Sequence, residues 1–165
     1  MRRTLIAAAV AALMLALPAS AAAPQQITKR GVGQVKLGMT FQELRDKGLV
    51  GKLRRGCELG GPNTRTARLR SPLRGDVDFS LTTPRTVTNV TIRRGARARG
   101  VKVGDRVRDI KDAYPKAKVN RATEEVFGIW LVRVPRNGGG RITFAVSADT
   151  RRITLIGVPF IPFCE

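Results

Sequence analysis

The sequence predicts an α+β protein of two tandem units, each a short helix followed by a three- or four-stranded antiparallel sheet. Two observations carry this. Val35-Lys36-Leu37-Gly38, followed by Thr40, Phe41, Leu44 and Asp46, returns further along as Val101-Lys102-Val103-Gly104, followed by Arg106, Val107, Ile110 and Asp112. Val77-Asp78-Phe79 returns at nearly the same offset as Ile142-Thr143-Phe144, and the stretch around Val90 is answered around Leu155. Each copy passes from helical spacing to strand alternation. A repeat that keeps its register through both periodicities points to duplication of a folding unit.

Positions 1–23 read as a signal peptide. Arg2 and Arg3 precede an apolar run from Leu5 to Leu17, and Ala19-Ser20-Ala21 or Ala21-Ala22-Ala23 offers small residues for cleavage. The run is too short for a stable transmembrane anchor. Residues 24–31 read as a linker, 32–96 as the first unit and 97–165 as the second unit with a C-terminal tail.

In the first unit, Thr40 can cap a helix whose third position is Glu43, a capping box, with Phe41 and Leu44 on one face and Gly48 as the stop. Val77, Phe79 and Leu81 then alternate with Asp76, Asp78 and Ser80. Thr83-Pro84-Arg85 turns the chain, and Thr88, Val90 and Ile92 alternate with Asn89, Thr91 and Arg93. A further strand is expected over 66–70. In the second unit Asp105 is the expected cap, Val107, Ile110 and Tyr114 the apolar stripe, and Pro115 the stop. Strands are expected over 129–134, around Phe144 and around Leu155, with turns at Asn137-Gly138-Gly139-Gly140 and Asp149-Thr150. One sheet face would pack on the helices and the other stay open, presenting Asn89, Thr91, Thr143 and Thr154 as candidate binding residues.

The phrase Lys36-Leu37-Gly38-Met39-Thr40 leading into Glu43-Leu44, its echo at Val103-Gly104-Asp105 leading into Asp109-Ile110, and the duplication resemble the tandem-repeat fold of the secreted beta-lactamase-inhibitory proteins. The same features resemble the small module of the outer-membrane assembly lipoproteins. The resemblance covers most of residues 32–160 and implies a fold and a protein partner docked on the sheet, with no activity attached. The inhibitors hold a disulfide within each repeat, whereas here Cys57 lies in the first unit and Cys164 at the C-terminus. Both cysteines fall in the exported part, where oxidising conditions favour a bridge between them.

Catalysis finds little support. The chain has no His, which removes the imidazole base of the common hydrolytic triads and the commonest metal ligand. Glu124 and Glu125 read as a solvated loop, and Asp76 with Asp78 as ion partners of Arg74 rather than a calcium site. No enzyme activity, cofactor or metal is expected.

Charge is the strongest functional signal. Thirty-one Lys and Arg stand against twelve Asp and Glu, a net +19, and loss of Arg2 and Arg3 with the leader leaves +17. Arginine-rich composition and solubility account for such charge without any site. The alternative is a basic patch gathered in space from Lys52, Arg54, Arg55, Arg93, Arg94, Arg97, Arg99 and Lys102. Such a patch would attract phosphate-rich envelope polymers with steep salt dependence. One Trp, one Tyr and six Phe leave no platform for stacked bases, so specific nucleic-acid binding is not expected. The expectation is a secreted or extracytoplasmic monomer that binds an envelope protein through its open sheet, or an anionic envelope polymer through a basic patch.

Overall fold

The computed structural model describes residues 23–135 and 140–163. The predicted leader up to residue 22, most of the glycine turn and Cys164 lie outside the described residues. In chain order the elements are β1 (Gln25–Thr28), β2 (Gly31–Val32), β3 (Val35–Lys36), α1 (Phe41–Asp46), β4 (Val50–Arg55), β5 (Arg65–Leu69), β6 (Arg74–Phe79), β7 (Val87–Arg94) and β8 (Ala96–Arg97). They continue with α2 (Val107–Ala113), β9 (Lys118–Asn120), α3 (Glu124–Phe127), β10 (Ile129–Arg133), β11 (Thr143–Ser147) and β12 (Ile153–Val158). The chain is therefore α+β and mostly strand. No helix among the described residues is long and apolar enough to cross a membrane.

The elements form two sheets. The larger is antiparallel throughout, in the order β4-β5-β6-β7-β12-β11-β10-β9. Its two halves meet where Val90, Thr91 and Ile92 pair with Val158, Gly157 and Ile156. A single continuous sheet replaces the expected sheet per unit, because pairing β7 with β12 satisfies two edges that would otherwise stand open. The smaller sheet runs β3-β2-β1-β8, with β1 parallel to β8. Residues 25–28, expected to be part of a linker, thus form a strand, anchored by the buried Ile27.

The helices are short and depend on their ends. At α1 the Thr40 backbone N–H and hydroxyl donate to Glu43 Oε2 at 2.6 and 2.9 Å, and the Glu43 N–H donates back to Thr40 Oγ1 at 3.2 Å. These bonds hold the Glu43 carboxyl below its usual range. At the other end the Leu49 N–H reaches the Leu44 carbonyl and the Gly48 N–H the Arg45 carbonyl, both at 2.9 Å, a Schellman closure with Gly48 at φ +67°. The cap of α2 is Arg106 rather than the expected Asp105. The Asp105 carboxylate is taken by the Lys102 N–H at 2.9 Å, and Asp109 Oδ2 accepts from the Arg106 N–H at 2.7 Å. An arginine side chain has no acceptor to complete the box.

The core lies between the helices and one face of the large sheet. Leu44 and Ile110 come from the helices and meet Val50, Val77, Val90, Ile92, Val132, Phe144, Ile153 and Ile156, all fully buried. Phe79 meets Phe41 edge to face at 5.5 Å between centroids, and Tyr114 tilts on Phe144 at 6.0 Å. Each such side chain contributes about 1.5–3 kcal/mol by leaving water. Leu81, expected to continue the apolar phase of β6, lies past the strand end at Phe79 and is exposed.

Candidate functional site

The second face of the large sheet is partly covered. After β12 the chain turns back over it: the Phe160 N–H donates to Asn89 Oδ1 at 3.3 Å and the Thr143 hydroxyl to the Pro159 carbonyl at 3.0 Å. Ile161 packs on Leu131 and Ala145, with Ile129, Leu155 and Phe163 around them. Asn89, Thr91 and Thr143, expected on an open face, are therefore buried, and of the four only Thr154 is exposed. The period-2 phase placed them on the right face but was silent about the C-terminal segment. The signal for that cover was Gly157, where a Cβ would lie 2.0 Å from the Phe160 carbonyl oxygen, together with the apolar Ile161 and Phe163.

On the β4–β7 half the same face is polar. Cross-strand neighbours on it are Arg54 with Thr66, Thr66 with Asp78, Arg68 with Asp76, and Asp76 with Thr91. A groove of about 980 Å³ runs along this half, lined by Arg54, Arg55, Arg68, Arg74 and Arg93, by the carboxylates of Glu58, Asp76 and Asp78, and by the apolar Phe127, Ile129, Leu155, Ile161 and Phe163. Asp76 pairs with Arg54 at 3.1 Å and approaches Arg93 at 3.9 Å, not with the expected Arg74. Cross-strand register overrides sequence adjacency, because successive side chains on a strand point to opposite faces or stand a full pleat apart. Burial pushes the Asp78 carboxyl above its usual range, partly opposed by hydrogen bonds from Asn89, at 3.0 Å, and Thr66.

Beside the groove, and sharing Arg93 with it, a cavity of about 620 Å³ opens between the end of β7, β8 and the start of β12. Arg93, Arg94, Arg97, Lys102 and Arg152 line it, with the exposed Thr154, and its lining contains no carboxylate. These five cations are exposed, and like charges gathered on one concave surface focus positive potential and draw anions. Of the eight predicted patch residues, Arg93, Arg94, Arg97 and Lys102 converge here, while Arg54 and Arg55 line the adjoining groove. Lys52 lines neither. Arg99 faces elsewhere, its guanidinium 5.2 Å from the Tyr114 ring centroid, in a depression it shares with Asp105, Asp109 and Asp112. Sequence reasoning missed Arg68 and Arg152 and took Arg74 only as an ion partner of Asp76 and Asp78. Arg68 stands two residues from Thr66 on the same strand face, a phase relation readable without a structure.

Cys57 sits at the rim of the groove, its Sγ 3.5 Å from the carbonyl oxygen of Phe163, the residue before Cys164. Glu124 and Glu125 fall in α3 rather than a loop. No cluster of three or more metal-ligating side chains exists among the described residues. Comparison of the chain with protein-family models, with curated proteins and with solved structures returns no match.

Proposed function

We propose that this chain is a secreted, non-catalytic binding protein whose basic surface takes an anionic polymer of the cell envelope. The observation that carries the reading is the carboxylate-free cavity of Arg93, Arg94, Arg97, Lys102 and Arg152, continuous through Arg93 with the arginine-lined groove. A flexible polyanion could lie along both, its charges matched to guanidinium forks that suit phosphate and sulfate oxygens. The protein-docking reading rested on an open Thr and Asn face, and three of its four residues are buried.

The same proposal takes the chain as a monomer built by duplication of one helix-and-sheet unit, in the manner of the secreted inhibitory proteins it resembles. Matching contacts at corresponding positions of the two copies support duplication. The Gly38 N–H meets the Val87 carbonyl at 2.8 Å, as the Gly104 N–H meets the Ile153 carbonyl at 2.8 Å. Thr40 bridges Thr86 as Arg106 bridges Arg152, and both glycines hold positive φ, +86° and +95°. A bridge from Cys57 to Cys164 would pin the tail that covers the sheet.

Binding of the mature protein to immobilised lipoteichoic acid or heparin at low salt, with release as salt rises, tests the function. Absence of binding, or binding indifferent to salt, would overturn it; salt-indifferent capture of a protein partner would restore the docking reading.

A further inference from the structure

We propose a second anion site, independent of the basic surface, that holds a single phosphate group where α2 meets β9 and β10. A cavity of about 550 Å³ there is walled by Arg108, Lys111, Arg121, Arg151 and Trp130, with two valines completing it. No carboxylate lines it. The guanidinium carbons of Arg121 and Arg151 lie 4.4 and 4.8 Å from the centroid of the one indole ring. The ring attracts each cation, yet the two repel one another, and among the described residues neither has a carboxylate partner. Arg108 leans on Asp109 at 3.7 Å, and Lys111 is spent on the Ala117 carbonyl.

A second observation points the same way. Trp130 is 4% exposed, and its indole N–H is buried with no acceptor among the described residues. Buried donors are nearly always satisfied, so this one is left for an oxygen admitted when the covering arginines shift onto a bound anion. Arg151 is also fixed in place. It holds φ +56°, with its N–H on the Ser147 carbonyl at 3.0 Å and its own carbonyl taken by the Val107 N–H at 3.1 Å, which ties it to the first turn of α2.

Phosphate fits this site better than a carboxylate or a halide. A phosphate monoester brings close to two negative charges and three oxygens, enough to accept from both guanidinium forks at once and relieve their repulsion. The ring is covered by arginine rather than open, which leaves no face for a stacked base. The phosphate can come on a small soluble ester or on a lipid headgroup, and the test separates them.

Trp130 is the only tryptophan in the chain, so its fluorescence reports on this cavity alone. Titration with inorganic phosphate and glycerol phosphate at constant ionic strength should give a saturable change that chloride does not. Vesicles containing phosphatidate, against pure phosphatidylcholine, form the second arm. A response to the soluble esters assigns a free ligand, and a response to phosphatidate alone assigns a headgroup. The double variant R121Q/R151Q, checked for folding by circular dichroism, should bind about a hundredfold more weakly, since each charge-assisted contact is worth about tenfold. R108Q, which leaves the ring untouched, should weaken binding less. R94Q/R97Q should leave the response unchanged, whatever becomes of polymer binding. Silence in both arms, confirmed by calorimetry, an equal response to chloride, or undiminished binding by the folded R121Q/R151Q protein would overturn the site.

Discussion

Replacement of Arg94 and Arg97 by glutamine should flatten the salt dependence of polyanion binding by an amount set by the cavity they line. Five cations line that cavity with no carboxylate in its walls, and among the described residues only Arg93 of the five has an acidic partner, Asp76 at 3.9 Å. If all five meet the polymer, the slope of log K against log salt is about −4.5 on a lattice of the charge density of duplex DNA, and the affinity falls about 500-fold between about 50 and 200 mM. With three contacts left the slope is about −2.7 and the fall about 40-fold. Fluorescence anisotropy of labelled heparin across a salt series measures both slopes directly. The control variant, K52Q/R99Q, removes the same charge from positions outside the cavity and should keep the steep slope. Equal flattening in the two variants would show that the net charge acts as a diffuse total, and the cavity would have to be abandoned as the seat of binding.

Other expectations concern stability. Non-reducing peptide mapping should recover Cys57 linked to Cys164, and reduction should lower the thermal midpoint while leaving the fold, since a bridge across roughly 100 residues contributes about 2–4 kcal/mol through the unfolded chain; two free thiols under oxidising conditions would refute the link. Asp78 has its folded pKa raised above the ordinary 3.8 by burial, so the folded state binds the extra proton and stability falls as pH rises through that folded value. D78N should therefore melt higher than the parent at neutral pH and match it once the parent's own acid is protonated; an advantage that persists in acid would contradict this. Gly48 and Gly75 both hold positive φ but differ in surroundings: a Cβ on Gly48 meets nothing within 4 Å, whereas one on Gly75 lies 1.9 Å from the Thr91 carbonyl oxygen. Urea denaturation should find G48A weakened by about 1–2 kcal/mol, the left-handed penalty alone, and G75A far more, because β6 and β7 must part.

What was legible in the sequence follows from how local each interaction is. The Thr40–Glu43 box and the Gly48 stop are contacts between near neighbours in the chain, and both read correctly from spacing. The second cap shifted by one position because Asp105 had a nearer donor in the Lys102 N–H, a competition that residue preference cannot rank. The strands β1 and β2 went unseen since segments so short give alternation no room to register. At the candidate site, four of the predicted basic residues do share one cavity, being clustered at the end of one strand and in the segment after it. Arg152 joins them from far beyond Lys102 in the chain, through the pairing of β12 with β7, and only register could have placed it there.

The division of the second sheet face explains why any binding surface should lie where the arginines are. On β10 to β12 that face carries Ile129, Leu131, Ala145 and Leu155, which demand cover, and the C-terminal segment supplies it with Ile161 and Phe163. On β4 to β7 the same face carries Arg54, Thr66, Arg68, Asp76 and Asp78, which an apolar tail could cover only by stripping water from charges, at several kcal/mol for each ion left without a partner. Ile161 and Phe163 of the tail therefore lie against the apolar half and supply apolar lining to the groove, with Phe163 reaching Cys57 at its rim. Asn89 and Thr91 sit under that boundary, polar residues buried because they bond to the tail, to Asp78 and to each other. A partner approaching this face meets the exposed guanidinium groups of Arg54, Arg68 and Arg93. Under the proposed function that arrangement suits a flexible anionic chain, which can follow the charges from groove to cavity, better than a folded protein, which would need the surface that the tail occupies.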